Sequence, residues 1–202
     1  VFVAERGRGI ARIEAGGKIN ATGQFQVGSE VGGFGTAAIT GAGSTVTTGG
    51  LTVGLFSEGD LEIENGGKAV ASFTNIGQFA GGAGAILVRG TNSRLEVANG
   101  LTVGNLGAGA LNVQSGGVVT AANVAVNSVS SLNLSGSSVV QSSIDNSGLL
   151  SAFNSSVTGG VTLRANSQMS FDNATIGSLT QHASDLLVNL RGASDFDNLI
   201  VT

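Results

Sequence analysis

Apolar and polar residues alternate over short runs along most of this chain. Leu61 and Ile63 alternate with Glu62 and Glu64, and segment 111–114 repeats the alternation. A period of two places successive side chains on opposite faces of a strand, so each run predicts a half-buried β-strand. Glycine, Asn or Ser closes each run, and no apolar stripe has the helical period. The chain is therefore predicted to be all-β, with Leu61 and Ile63 pointing inward.

A shift of 50 residues superimposes the chain on itself. The segment Leu-Thr-Val-Gly at 51–54 recurs unchanged at 101–104. A fixed period of about 20 to 50 residues is typical of solenoids, propellers and arrays. Further positions match at this spacing, and they hold apolar residues or glycine in all three copies: Val3, Val53 and Val103; Gly9, Gly59 and Gly109; Ile13, Ile63 and Val113; Gly16, Gly66 and Gly116; Gly17, Gly67 and Gly117; Ala21, Ala71 and Ala121.

Short strands, glycine corners and a long repeat predict a parallel β-helix, or β-solenoid, with about two coils in each 50-residue unit. Gly66-Gly67 follows a strand, where glycine reaches positive φ without steric cost and suits a tight corner. Equivalent residues of neighbouring units then stack two layers apart, about 10 Å at ordinary strand spacing. We predict one domain over 1–202, with clear repeats at 1–50, 51–100 and 101–150 and degenerate coils at 151–202.

Composition narrows the class of protein. The chain is 41% hydrophobic and 11% charged, whereas disordered chains combine low hydrophobicity with high net charge, so it can bury a core. Nine Lys and Arg residues and a net charge of −4 give no basic stripe for nucleic acid. No Cys is present, and no apolar run reaches the roughly 18 residues of a membrane helix. A β-propeller and a β-sandwich are the alternative folds; the propeller ranks lower because the chain has no Trp or Tyr.

No group of residues specifies nucleophilic or phosphate chemistry. His182 is the only histidine, and no serine lies in a Gly-x-Ser-x-Gly elbow, so we interpret His182 as a surface turn residue. The glycine-rich segment 104–109 lacks the Gly-Lys-Ser/Thr ending of a P-loop and is interpreted as a structural corner. We predict no catalytic residue and no cofactor.

Two groups of acidic residues are candidate sites. Asp60, Glu62 and Glu64 lie on one strand face about 7 Å apart, within the range of glycosidase pairs, but a solvated face is preferred. Asp195 and Asp197 stand beside Asn198 without a complete calcium-loop pattern, so a turn is preferred and calcium binding is left open. No metal site is predicted. Four basic residues are expected to be scattered, without completing a lyase centre: Lys68, Arg89, Arg94 and Arg191.

Segment 103–117 follows the pattern Val-Gly-x-x-Gly-x-Gly-x-Leu-x-Val-x-x-Gly-Gly, and segments 53–67 and 3–17 are poorer copies. This pattern resembles the repeat of autotransporter (type V secretion) passengers and PEP-CTERM-associated bacterial surface proteins. The resemblance covers about residues 1–140, with Ala4 in place of a glycine. It implies a right-handed parallel β-helix, export from a Gram-negative-type cell, and display at the cell surface or release.

The expected function is a non-catalytic structural stalk or adhesive module, located outside the cell or on a bacterial surface. Open strand edges favour end-to-end self-association into fibres. The alternatives are an adhesin for glycans or host surfaces and a polysaccharide-active β-helix enzyme. The adhesin would use outward threonines such as Thr40, Thr47, Thr52 and Thr102. Neither nucleic-acid binding nor membrane insertion is expected. Because the chain begins at Val1 and not at a methionine, we expect it to be a piece of a longer protein.

Overall fold

The computed structural model describes residues 1–181, 187–196 and 199–201, and these residues form strands, turns and bends without a helix. The strands fall into two sheets. Sheet A contains β1 (Phe2–Val3), β3 (Lys18–Val27), β5 (Thr45–Val53), β7 (Lys68–Ile76), β9 (Arg94–Val103), β11 (Val118–Val126), β13 (Val139–Asn146), β15 (Ser156–Leu163), β17 (Thr175–Gln181), β19 (Asp195–Phe196) and β20 (Leu199–Val201). Sheet B contains β2 (Arg8–Ile13), β4 (Phe34–Thr40), β6 (Glu58–Glu64), β8 (Ala83–Arg89), β10 (Ala108–Gln114), β12 (Ser131–Ser135), β14 (Leu149–Phe153), β16 (Gln168–Asp172) and β18 (Leu187–Arg191).

The two sheets alternate along the chain, because each strand of sheet B is followed by a strand of sheet A. Within each sheet, neighbouring strands are consecutive members of that sheet and run parallel, as in β4, β6 and β8, except that β19 and β20 both pair with β17. The predicted all-β parallel β-solenoid is therefore confirmed, whereas its handedness stays a prediction. The nine strands of sheet B in the described residues mark nine layers, which span about 38 Å at ordinary strand spacing.

Strand register gives the length of chain in each layer. Glu64 pairs with Arg89 of the next layer, which lies 25 residues later in the chain. The other pairings of sheet B from β2 to β10 deviate from this spacing by at most one residue. Glu58 pairs with Ala83, and Ala83 pairs with Ala108, so positions one repeat apart lie two layers apart. We call residues 8–126 the long coils.

From the sixth layer onward the coils are shorter. Asn112 pairs with Asn133, which lies 21 residues later. In sheet A, Asp145 and the Arg164 side chain that binds it from the next layer lie only 19 residues apart. The remaining pairings of sheet B, from β12 to β18, are similarly short. We call residues 131–191 the short coils. The parallel ladder continues through both sets of coils, which shows that the change of coil length does not interrupt the sheets.

The core consists of inward-facing columns that continue from layer to layer. Leu61 and Ile63 are 1% and 0% exposed, as predicted from their alternation with Glu62 and Glu64. Ala11 is only half-buried, because it lies in β2, the first strand of sheet B. The column through Leu61 holds a buried residue in each layer from the second to the eighth: Ala37, Leu61, Ile86, Leu111, Leu132, Leu150 and Met169.

We call the segments that lead from a sheet A strand to the next sheet B strand arcs. Their backbone conformation and packing explain why glycine recurs at two positions. The first residue of each arc after β1, β3, β5, β7 and β9 is left-handed, with φ between 60° and 73°: Ala4, Gly28, Gly54, Gly77 and Gly104. The second glycine is inward-facing Gly84, where a Cβ would overlap the carbonyl oxygen of Val53. Glycine is therefore required there by close approach of two backbones.

The segments that lead from sheet B to sheet A, here called corners, alternate between two types in the long coils. A Gly-Gly corner at Gly66-Gly67 is followed one layer later by a Gly-x-x-Ser corner at Gly90 and Ser93. The Gly66 amide donates to Ser93 Oγ at 3.1 Å, and the Gly16 amide donates to Ser44 Oγ at 3.1 Å in the preceding unit. The two corner types therefore bond to each other across adjacent layers.

Candidate functional site

Strand β6 carries four carboxylates at its outward positions, here called the acidic row: Glu58, Asp60, Glu62 and Glu64. Glu58 and Glu62 are exposed, and the other two are half-buried. The outward direction of Glu62 and Glu64 is confirmed. Sequence reasoning missed Glu58. The inward residue between Glu58 and Asp60 is Gly59, which has no apolar side chain, so the alternation of apolar and polar residues cannot be recognised at this point.

Asp60 is a half-buried member of the acidic row. Burial raises the pKa of the Asp60 carboxyl above its ordinary value, and the nearby negative charge of Glu58 raises it further. Both causes disfavour the ionised form. Asp60 is therefore partly desolvated, rather than a fully solvated residue as the sequence predicted.

The basic residues are less scattered than the sequence suggested, because each one faces or pairs with a neighbour in an adjacent layer. Arg89 forms an ion pair with Glu64, and Lys68 forms one with Glu96 at 2.8 Å. Arg94 pairs in register with Lys68, and Arg191 pairs with Asp172. Stacking brings these residues together although they are far apart in the chain. Arg89 therefore lies beside the acidic row, a neighbour that the sequence did not predict.

The carboxylates of the acidic row are spread along one strand and do not point to a common centre. Its members alternate with inward residues along one strand, so neighbouring carboxylates are about 7 Å apart. Within the described parts of the chain, no group of three or more His, Cys, Asp or Glu side chains could hold a metal ion. Asp195 begins β19, whereas Asp197, Asn198 and His182 lie outside the described residues. Calcium binding at Asp195 and Asp197 therefore stays an open prediction.

The predicted threonine surface is only partly formed. Thr47 is exposed, and Thr40 and Thr102 are half-buried. Thr52 is 0% exposed, so the prediction that it faces solvent is wrong. It alternates with inward core residues, but Gln26 and Asn75 flank it in the adjacent layers and cover it. A regular threonine grid does not form.

An aromatic platform lies on the outer face of sheet A. The ring of Phe73 covers Gly50, since a Cβ on Gly50 would lie 2.5 Å from the Phe73 Cζ atom. Phe73 is 40% exposed and lines a groove of about 310 Å³ with Thr22, Gln24 and Ser72. Sequence reasoning missed this surface, because the position of Phe73 over Gly50 depends on the stacking register.

The arcs carry a row of exposed apolar side chains along one edge of the solenoid. Val31, Leu106 and Val129 are 80%, 69% and 87% exposed, and each belongs to a different layer. The rings of Phe56 and Phe79, from successive arcs, stack with their centroids 4.7 Å apart. Exposed apolar surface of this kind is typical of interaction sites.

Known proteins give no further guide to this surface. No family model, curated protein or solved structure matches the chain. In the part of the chain that the structure describes, no helix is long and apolar enough to cross a membrane.

Proposed function

We propose that this chain is a structural stalk or spacer segment with an adhesive outer surface. The supporting observation is the continuous core column through Leu61, Leu111 and Leu150, which is buried from layer to layer while parallel strands bond each layer to the next. A solenoid in which each layer contacts its neighbours forms a quasi-one-dimensional rod. Such a rod separates or displays other parts of a protein.

The place of action is proposed to be outside the cell or on a bacterial surface, and the segment is proposed to be non-catalytic. This part of the proposal depends on the resemblance of segment 103–117 to the repeat of exported passengers. End-to-end association through strand edges would extend the rod into fibres. Cell fractionation of the source organism with an antibody against this chain tests the location, since signal confined to the cytosol would contradict it.

Electron microscopy of the purified chain tests the rod. Negatively stained particles should be about 40 Å long or multiples of that length, because nine layers at ordinary spacing give this extent. Round particles with no long axis would contradict the proposal. A dilution series then separates single rods from end-to-end fibres, since only fibres shorten on dilution.

A glycan-binding adhesin is the second candidate, and the Phe73 platform is the observation that favours it. An exposed ring face can stack on the apolar face of a sugar ring, and Gln24 lies in the same groove. Gln24 Oε1 accepts a hydrogen bond from Gln26 Nε2, which leaves the Gln24 amide group as a donor for a sugar hydroxyl. A glycan array of the wild-type chain, repeated with Phe73→Ala, should lose its hits in the variant. Phe153→Ala, at an exposed ring on sheet B, is the control.

A further inference from the structure

Two rows of opposite charge lie on the outer face of sheet B, separated by one uncharged layer. The first layer carries Arg8 and Arg12, here called the basic row, and the third layer carries the acidic row. Arg8 and Arg12 are exposed, as are Glu58 and Glu62. The rows occupy the same columns, because register passes from Arg8 through Phe34 to Glu58.

The second charged column repeats this arrangement. Register passes from Arg12 through Ala38 to Glu62. Within the described residues, the ion pairs involve other side chains: Lys68 with Glu96, Arg89 with Glu64 and Arg164 with Asp145. The two rows are two layers apart, about 10 Å, and no ion pair joins them in the described residues. Arg8, Arg12, Glu58 and Glu62 therefore take part in no ion pair within the described residues, although Glu64 of the acidic row is bound by Arg89.

We propose that this face binds a second copy of the same chain, related to the first by a two-fold axis that runs along β4 between the two facing sheets. This rotation keeps the columns and exchanges the first layer with the third. Arg8 then faces Glu58 of the second copy, and Arg12 faces Glu62 of the second copy. Every pair occurs twice, because a two-fold interface uses the same patch on both molecules. Four charge pairs form from four side chains of each chain.

The layer on the axis allows the two faces to approach. The outward residues of β4 at its centre are Thr36 and Ala38, whose short side chains leave room for the longer charged groups on either side. Phe34, at the start of β4, lies under the guanidinium of Arg8 at 5.1 Å from the ring centroid and holds that group over the face.

Two members of the acidic row are outside the pairing. Asp60 would face Ile10 of the second copy, which is 75% exposed and offers no charge. Glu64 is already bound by Arg89. Carboxylates of the same strand therefore differ in role, since Glu58 and Glu62 bind the second copy whereas Asp60 does not.

A second copy fits this face better than an unrelated basic or acidic partner. A basic segment would neutralise the acidic row but would be repelled by Arg8 and Arg12, and an acidic segment has the opposite problem. Only a partner with both signs at the same spacing satisfies both rows, and this chain carries that pattern. Three strands of about 20 Å give a contact of a few hundred Å², below the roughly 800 Å² per partner of stable complexes. The association should therefore be weak and salt-dependent.

The test is sedimentation velocity of the purified chain over a concentration series at low ionic strength. The wild-type chain should form a dimer that dissociates as salt is added, because exposed charge pairs are screened. Arg8→Glu with Arg12→Glu should weaken dimerisation by about tenfold or more, and so should Glu58→Arg with Glu62→Arg, because each places like charges opposite one another. Mixing the two charge-reversed variants should restore a dimer that contains one of each. All four positions are exposed, and circular dichroism verifies that each variant is folded.

A matched pair of single variants separates this pairing from general attraction between charges. Glu62→Gln and Asp60→Asn remove the same charge from the same strand. Glu62→Gln should weaken the dimer, whereas Asp60→Asn should leave it unchanged or strengthen it. A wild-type chain that stays monomeric at low salt would overturn the proposal, as would failure of the mixed variants to associate. A dimer that persists unchanged in both reversed variants would also overturn it, because self-association would then not depend on these charges.

Discussion

In the long coils, Arg89 lies 25 residues after the carboxylate that it binds in the preceding layer, and in the short coils Arg164 lies only 19 residues after its own. Both regions nevertheless bury the same core column in each layer from the second to the eighth. The difference is spread over strands, corners and arcs. Strand β8 has 7 residues and β14 has 5, and the arc before β8 contains residues 77–82 whereas the arc before β14 contains only residues 147–148. Coil length therefore changes without interrupting the core column.

The two regions also satisfy the backbone of their arcs differently. Arcs of the long coils begin with a left-handed residue such as Gly77 or Gly104, whereas Asn127 and Ser147 begin later arcs without positive φ. In the short coils a side chain provides the hydrogen bonds. Asn146 is 0% exposed, donates to the Gln168 carbonyl at 3.2 Å and accepts from the Gly148 amide at 3.1 Å. Both ways of satisfying the arc backbone are compatible with the same core, because core packing requires only that the strands stay in register.

The largest effect is expected from the shared core column. Leu111→Ala and Leu150→Ala should each lower the free energy of unfolding by about 3 kcal/mol, through lost burial and the cavity left behind. Urea unfolding followed by circular dichroism measures both. Leu106→Ala is the control, since Leu106 is 69% exposed and its loss should change stability by less than about 0.5 kcal/mol. A much smaller loss for Leu150 than for Leu111 would show that the short coils are not packed as tightly.

The next effect concerns the close approach of two backbones in the long coils. Gly84→Ala should destabilise the fold by about 2 to 3 kcal/mol, because the added Cβ overlaps the Val53 carbonyl and neither backbone can move freely. Gly23→Ala is the matched control. A Cβ there meets no atom within 4 Å, and its φ is ordinary, so a gain of about 0.5 kcal/mol is expected. Equal effects of the two substitutions in the same urea titration would contradict the proposed role of Gly84.

A smaller effect on stability should distinguish a corner of the long coils from a corner of the short coils. Ser44→Ala should cost about 1 to 2 kcal/mol, because the Gly16 amide loses the acceptor to which it donates at 3.1 Å. Ser138, in the shortened corner before β13, is buried and its hydroxyl has no hydrogen-bond partner. Ser138→Ala should therefore be neutral or stabilising, since an unpaired buried hydroxyl is costly. The measurement is the difference in thermal midpoint between the two variants, and a larger loss for Ser138→Ala would reverse the interpretation.

The smallest effect is the pH dependence of the half-buried carboxyl in the long coils. The pKa of Asp60 is raised in the folded state, so its contribution to stability is complete below the unfolded pKa of about 3.9 and is lost as pH rises through the higher folded pKa. Asp60→Asn should therefore be slightly more stable than wild type at pH 7. The difference should shrink as the pH falls below about 4. Urea midpoints at both pH values, in dilute high-salt solution, test this, and a variant less stable at pH 7 would contradict the sign.

Local patterns made part of the fold and of the site predictable. The alternation at Leu61 and Ile63 predicted their burial, and Gly66-Gly67 predicted a corner, because both signals act within a few residues. Thr52 follows the same alternation and was wrongly placed in solvent, since residues of adjacent layers cover it. Glu58 was missed because Gly59 hides the alternation. Errors therefore occurred where an adjacent layer, or a glycine, decided the environment.

The sequence by itself determined the class of the fold and the inward columns, because strand periodicity and corner glycines are local properties. Only the tertiary structure decided which residues become neighbours. It placed Arg89 beside Glu64, the ring of Phe73 over Gly50, and Arg8 in one column with Glu58. The physical reason is that neighbours in a solenoid are set by the chain length of each coil, which depends on how arcs and corners close. Because coils of 25 and of 19 residues keep the same core column in register, sequence spacing alone does not give these neighbours.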